Sequence, residues 1–168
     1  VIVCPSGSCV TMVRHHYPQL FDDDDPWLQR ARQVAAKTYE LTEYLVDVLG
    51  AQDLGARYEG KITYHDSCHL LRNLRIQSQP RKLLSKVGGA EFIEMHDADR
   101  CCGFGGSFAV KYGDISSAMV TDKVNNIVAS GADTVVGCDM GCLMNIQGML
   151  NRRESDSKTM HIAQILAG

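Results

Sequence analysis

The apolar positions of this chain change their period partway along. Trp27, Ala31, Val34, Thr38, Leu41, Leu45 and Val48 recur three or four residues apart, the spacing that lines one face of an α-helix. The pattern predicts one long helix over 27–49, with Asp25 as its N-cap, Pro26 at its first position and Gly50 at its stop. Upstream, Val1 to Val3 reads as a short strand with no evident sheet partner. It runs into the turn Pro5-Ser6-Gly7-Ser8-Cys9, and a short helix follows over 10–16. The acidic run from Asp22 to Asp25 reads as a solvated loop.

From about Lys61, short apolar runs alternate with amphipathic stretches. The runs predict strands over 62–65, 91–96, 134–137 and 158–161. Between them lie a helix over 80–87 ended by Gly88-Gly89, and a helix over 114–130 with Gly131 as its C-cap. A third helix begins near Cys142, and a helical turn closes the chain. Repeated β–loop–α units predict an α/β fold with a parallel sheet and flanking helices. In such sheets the functional loops lie beyond the carboxyl ends of the strands. Cys68 follows the first of these strands, Cys101 and Cys102 the second, and Cys138 and Cys142 the third. All five cysteines are therefore expected at one edge of one sheet.

Composition narrows the chemistry. With 168 residues, 45% hydrophobic and 22% charged, the chain has material for one core of moderate size. A net charge of −3 gives no general attraction to nucleic acid or to an anionic membrane. No apolar run approaches a membrane span, and no signal-peptide pattern is visible. Seven cysteines, an odd number without regular disulfide spacing, point to a reducing, cytoplasmic setting and to metal ligation or thiol chemistry. Because Val1 opens an apolar strand, the chain is expected to be the back portion of a longer protein.

The sharpest feature is Cys101-Cys102-Gly103-Phe104-Gly105-Gly106. Adjacent cysteines rarely bridge each other, because disulfide-linked Cα atoms normally lie further apart than the ~3.8 Å of one trans peptide. Two thiolates on a glycine-rich backbone suit a metal or an iron–sulfur cluster, with loop N–H groups free to reach the sulfurs. A nucleotide reading of the glycines is weak, because the GxGxxG spacing is lacking. Cys4 and Cys138 read as buried small hydrophobes. His65 and His69 flank Cys68. They could ligate a metal, hydrogen-bond to a cluster sulfur, or hold backbone and carboxylate groups.

Three stretches together, Tyr64-His65-Asp66-Ser67-Cys68-His69, Cys101-Cys102-Gly103-Phe104-Gly105-Gly106 and Asp139-Met140-Gly141-Cys142, resemble the cysteine-rich CCG domain. That domain occurs in the cysteine-rich subunit of heterodisulfide reductase, the glycolate oxidase iron–sulfur subunit and lactate-utilisation iron–sulfur proteins, and the detail is most similar to the last of these. The fuller family pattern has a cysteine where this chain has Asp139; here the extra cysteine stands one place earlier, at Cys138. Pro5 to Cys9 resembles the end of a first such motif. The resemblance implies that 1–50 is the tail of a first CCG domain plus a linking helix, that 51–168 is a complete second domain, and that an upstream domain of the same fold covers the N-terminal strand and helix.

It further implies Cys68, Cys101, Cys102 and Cys142 as ligands of a [4Fe-4S] cluster. Ligand count alone equally allows zinc held by four cysteines. The implied role is an iron–sulfur electron-transfer subunit in a complex oxidising L-lactate or a related 2-hydroxy acid, beside a ferredoxin-like iron–sulfur subunit and a third lactate-utilisation protein. The alternative is a structural zinc-binding docking module. Thiol catalysis by Cys101 with a histidine is the weakest reading, because it leaves cysteines at three strand ends unexplained.

Overall fold

The computed structural model describes residues 1–168. Its centre is a four-stranded sheet, all parallel. The strands are β3 (Arg57–Tyr64), β4 (Gly88–Phe92), β5 (Thr134–Gly137) and β6 (Lys158–His161), in the order β4-β3-β5-β6. A second parallel pair, β1 (Ile2–Cys4) with β2 (Thr38–Glu40), stands before it in the chain. Eight α-helices accompany these strands: α1 (Gly7–Thr11), α2 (Pro26–Ala36), α3 (Leu41–Glu43), α4 (Ser78–Leu84), α5 (Ser107–Lys111), α6 (Gly113–Ser130), α7 (Met140–Arg152) and, after the last strand, α8 (Ile162–Leu166). This is the parallel α/β architecture that the alternating pattern predicts.

Why β5 lies inside follows from its neighbours. All four of its residues are buried, which a parallel strand requires when both sheet faces are covered. Successive side chains point to opposite faces. Val136 joins Ile62, Tyr64, Leu84, Ile162 and Ile165 in one apolar cluster, which α4 and α8 complete. Val135 joins Val120, Val124, Ile127, Ile146 and Leu150 in the other, built from α6 and α7. Each fully buried aliphatic side chain contributes roughly 1.5–3 kcal/mol to holding these layers together. Gly131, in the left-handed region at φ +71°, ends α6 as the sequence predicts for a C-cap.

Two expectations for the N-terminal region need correction. The long helix over 27–49 does not exist as one element: α2 stops at Ala36, Thr38 to Glu40 form β2, and α3 restarts at Leu41. The strand Val1 to Val3 is not partnerless either, because Ile2, Val3 and Cys4 register against Thr38, Tyr39 and Glu40. One cause accounts for both. A strand must satisfy its backbone donors and acceptors, and β-branched Thr38 and aromatic Tyr39 suit a pleated surface better than a helix interior. The helix can restart because Glu40 accepts from the Thr42 and Glu43 amides while Glu43 accepts from the Glu40 amide, a reciprocal capping box. The apolar three-and-four spacing continues across the break and conceals it. Elsewhere the strand expected over 91–96 runs earlier, over Gly88–Phe92, with Gly88 paired to Arg57. The short helix expected over 10–16 is α1 followed by a wider π-turn over Met12–His16.

Candidate metal centre

Three strand ends build the site, and each is fixed by its own contacts. After β3, the His65 amide donates to the Val136 carbonyl at 2.8 Å and the Asp66 amide to the Ala98 carbonyl at 3.1 Å. Asp66 is clamped by both terminal nitrogens of Arg81, at 2.9 and 2.7 Å. This anchored segment delivers Cys68 to the sheet edge.

After β4 the chain turns over a buried ammonium. Lys123 of α6 is 0% exposed, and its Nζ donates to the carbonyls of Asp97 at 2.6 Å and Ala98 at 3.1 Å. Burial pulls its pKa down to about 8 from 10.5, against the pull of nearby Asp66 and Asp99. Cys101 and Cys102 follow. Asn145 Nδ2 donates to the Cys102 carbonyl at 2.8 Å, and Ser116 Oγ donates to the Gly103 carbonyl at 2.8 Å. Gly103 has φ +82°, and a Cβ there would lie 2.7 Å from the Ser116 carbonyl oxygen, so only glycine fits this turn. Its amide donates to Cys101 Sγ at 3.4 Å.

After β5, Asp139 stands as N-cap of α7 and Cys142 sits in the first turn of that helix. Asp139 is 5% exposed. Its Oδ1 accepts from Ser6 Oγ and Ser8 Oγ, both at 2.7 Å, and from the Ser8 amide at 3.1 Å. Its Oδ2 accepts from Ser67 Oγ and, at 3.7 Å, from Cys138 Sγ. Burial alone would raise this carboxyl's pKa; the hydrogen bonds from Ser67, Ser8 and Ser6 outweigh it and hold the group below its ordinary value. One carboxylate therefore ties the N-terminal segment to two of the three cysteine-bearing loops.

Cys68, Cys101, Cys102 and Cys142 line one cavity of about 410 Å³, together with His69, Phe104, Met12 and Ser8. The four thiols named from the sequence thus share a site at the carboxyl edge of the parallel sheet. Cys138 does not line it. It is fully buried in the apolar cluster with Ile62 and Tyr64, as expected of a small hydrophobe. Cys4 is only half-buried and Cys9 is exposed, and all seven cysteines are free thiols.

Protons are unevenly shared among the four. The Cys101 thiol is held well below its ordinary pKa by hydrogen bonds from Cys102 and Cys68, with the Gly103 amide adding to them. A hydrogen bond from Cys102, reinforced by His65, brings Cys142 down to about 6 against burial. Cys68 and Cys102 are pushed up, the first by its bond with Cys101, the second by its bonds with Cys101 and Cys142, and both by burial. The four thiols compete for their protons, and a bound cation would displace those that remain.

His65 lies behind these sulfurs. It is 1% exposed, and neither ring nitrogen has an oxygen or nitrogen partner. The ligand atoms of His65, Cys102 and Cys142 all lie within 4.8 Å of one another. Such a set of soft sulfur and imidazole donors can bind zinc or an iron–sulfur centre. His69, by contrast, is exposed at the rim. No local pattern in the sequence marks Asp139 as a latch or Lys123 as a buried cation, because their partners lie far off in the chain.

A parallel sheet whose strand ends gather a Cys, a Cys-Cys-Gly and a further Cys into one cavity defines a cysteine-rich domain protein, and the family profile described as the CCG cysteine-rich domain matches residues 62–147. Over almost its whole length the chain is similar to curated relatives named lactate utilization protein A. It is 49% identical to that of Lysinibacillus sphaericus over 165 residues, covering 98% of this chain and 72% of the relative. It is 50% identical to that of Bacillus subtilis, covering 98% and 69%, and 52% identical to that of Macrococcus caseolyticus, covering 99% and 67%. The chain belongs to the lactate utilization protein A family within the CCG cysteine-rich group.

Proposed function

We propose that this chain serves lactate utilisation as an iron–sulfur electron-transfer component, with Cys68, Cys101, Cys102 and Cys142 as cluster ligands. The observation that carries this reading is the convergence of four thiols from three strand ends on one cavity. A cluster of the [4Fe-4S] kind would supply one-electron relay there. The chain's own residues prepare the place. Gly103 points an amide at Cys101 Sγ, Lys123 and Asn145 hold the backbone around the vicinal pair, and Arg81 fixes the approach to Cys68. Such a relay needs redox partners, and the reading includes a ferredoxin-like iron–sulfur subunit and a third lactate-utilisation protein in the cytoplasm. No helix is long and apolar enough to cross a membrane.

The same reading divides the chain into a part-unit over 1–50 and a complete CCG unit over 51–168. Its support is a likeness of local structure. Cys4 registers against Glu40 as Gly137 registers against His161. Glu40 and His161 each open a short helix with a capping box, closed by Glu43 and Gln164 respectively. Ser6 and Asp139 occupy matching places before Cys9 and Cys142, and they hydrogen-bond to each other.

A second reading, a single structural zinc ion, is favoured by the compactness of His65, Cys102 and Cys142. Anaerobic purification with iron, sulfide and zinc quantified, and a visible spectrum before and after reduction, separates the two. Several irons per chain with absorption that bleaches on reduction is the result expected. Stoichiometric zinc without iron would replace the electron-transfer role with a docking one.

A further inference from the structure

We propose that His65 is itself a metal ligand, a nitrogen donor that shares the site with Cys102 and Cys142. This assignment rests on the metal-centre reading above and adds a nitrogen donor to it.

Burial sets the demand. An imidazole removed from water must hydrogen-bond or coordinate through its ring nitrogens, or bear the cost of leaving them unmade. His65 is 1% exposed, neither Nδ1 nor Nε2 has an oxygen or nitrogen partner, and the group its ring hydrogen-bonds with is the Cys142 thiol. Its backbone is locked in register by the bond from its amide to Val136, so the side chain cannot swing out to solvent without breaking the strand end. The groups it meets are Cys102 Sγ and Cys142 Sγ, with all three ligand atoms within 4.8 Å. His161 shows the contrasting case in the same fold: its Nε2 is satisfied by the carbonyls of Pro5 and Cys138, at 2.9 Å each, and its Nδ1 by the Ala163 amide at 3.1 Å. Nothing of that kind holds His65.

Asp139 rules itself out as the additional donor. It is the nearest carboxylate in sequence to Cys142, but both of its oxygens are committed to hydroxyl, amide and thiol donors. A carboxylate with all its bonds made and an imidazole that meets only sulfur lie on the same cluster of loops. The imidazole is the group free to coordinate, and neutral imidazole beside thiolates suits both zinc and iron–sulfur centres.

The test uses the chain reconstituted anaerobically with iron and sulfide, carrying isotopically labelled histidine, reduced and examined by pulsed EPR. A histidine nitrogen coupling of directly bound strength is expected in the wild type and in His69→Ala. It should be lost in His65→Ala and in His65→Cys, the latter retaining its iron through an all-sulfur set. Iron-loaded wild type without histidine coupling, or coupling that survives His65→Cys, overturns this assignment and leaves the cysteine site standing. Wild type that takes up no iron overturns the iron–sulfur reading and this one together.

Discussion

Asp139→Ala tests the idea that one buried carboxylate fastens the N-terminal segment to the cysteine loops. The native group accepts from three hydroxyls and one amide, besides a weak contact from Cys138. A hydrogen bond to a charged group is worth about 1.5–3 kcal/mol, and each buried donor left without an acceptor costs about 1–3 kcal/mol. These do not add, because Ser6 and Ser8 keep their contact with each other at 3.1 Å and the desolvation of a 5% exposed carboxylate is relieved. The net destabilisation is about 3 kcal/mol, on the order of one charge-assisted bond lost together with the donors it leaves unpaired. Asp139→Asn, which keeps one acceptor oxygen, should lose about half as much.

The pH dependence has a definite sign. Because the folded carboxyl titrates below 3.8, its ionisation stabilises the fold above that value and the contribution disappears as pH falls through the lower folded value. The gap between wild type and Asp139→Ala should therefore narrow below about pH 4. Urea denaturation at matched metal content reads the stability. Amide exchange over residues 6–12 reads the local consequence, and protection there should fall while β3 and β5 stay protected. A loss under about 1 kcal/mol with unchanged exchange over 6–12 would refute the latch.

Three further outcomes follow from the same geometry. Cys142→Ser should lose most bound metal whereas Cys138→Ser loses little, because only the former lines the cavity; equal loss by metal analysis would place Cys138 among the ligands. Gly103→Ala should cost about 2 kcal/mol or more and lower metal content, since φ +82° and a Cβ 2.7 Å from the Ser116 carbonyl oxygen strain the vicinal turn; a variant of wild-type stability would show that the loop shifts freely. Lys123 titrates near 8 when folded and 10.5 when unfolded, so the unfolded chain binds more protons between those values and stability should rise with pH across that window. That rise, about 3 kcal/mol in full, should vanish in Lys123→Met when denaturation is followed from pH 7 to 10.

Sequence by itself determined the parallel α/β order from about Lys61 onward and the gathering of cysteines at the strand ends. The change of period near Lys61, glycine stops and short β-branched runs mark strands such as Thr134–Gly137 because local backbone preference and burial agree there. Placing cysteines after successive strands of a parallel sheet is enough to bring them to one edge, since every strand in such a sheet ends on the same side. Tertiary structure decided what depends on distant partners. Thr38 to Glu40 carry a helical apolar period, yet they pair as a strand because β1 needs its hydrogen bonds met. Asp139 has its serine partners at Ser6, Ser8 and Ser67, and Lys123 has its carbonyls at Asp97 and Ala98, separations that no local pattern encodes. The fate of His65 was undetermined for the same reason: a histidine beside a turn can hydrogen-bond or coordinate, and only the packing of α7 and the vicinal loop around it leaves its nitrogens facing sulfur.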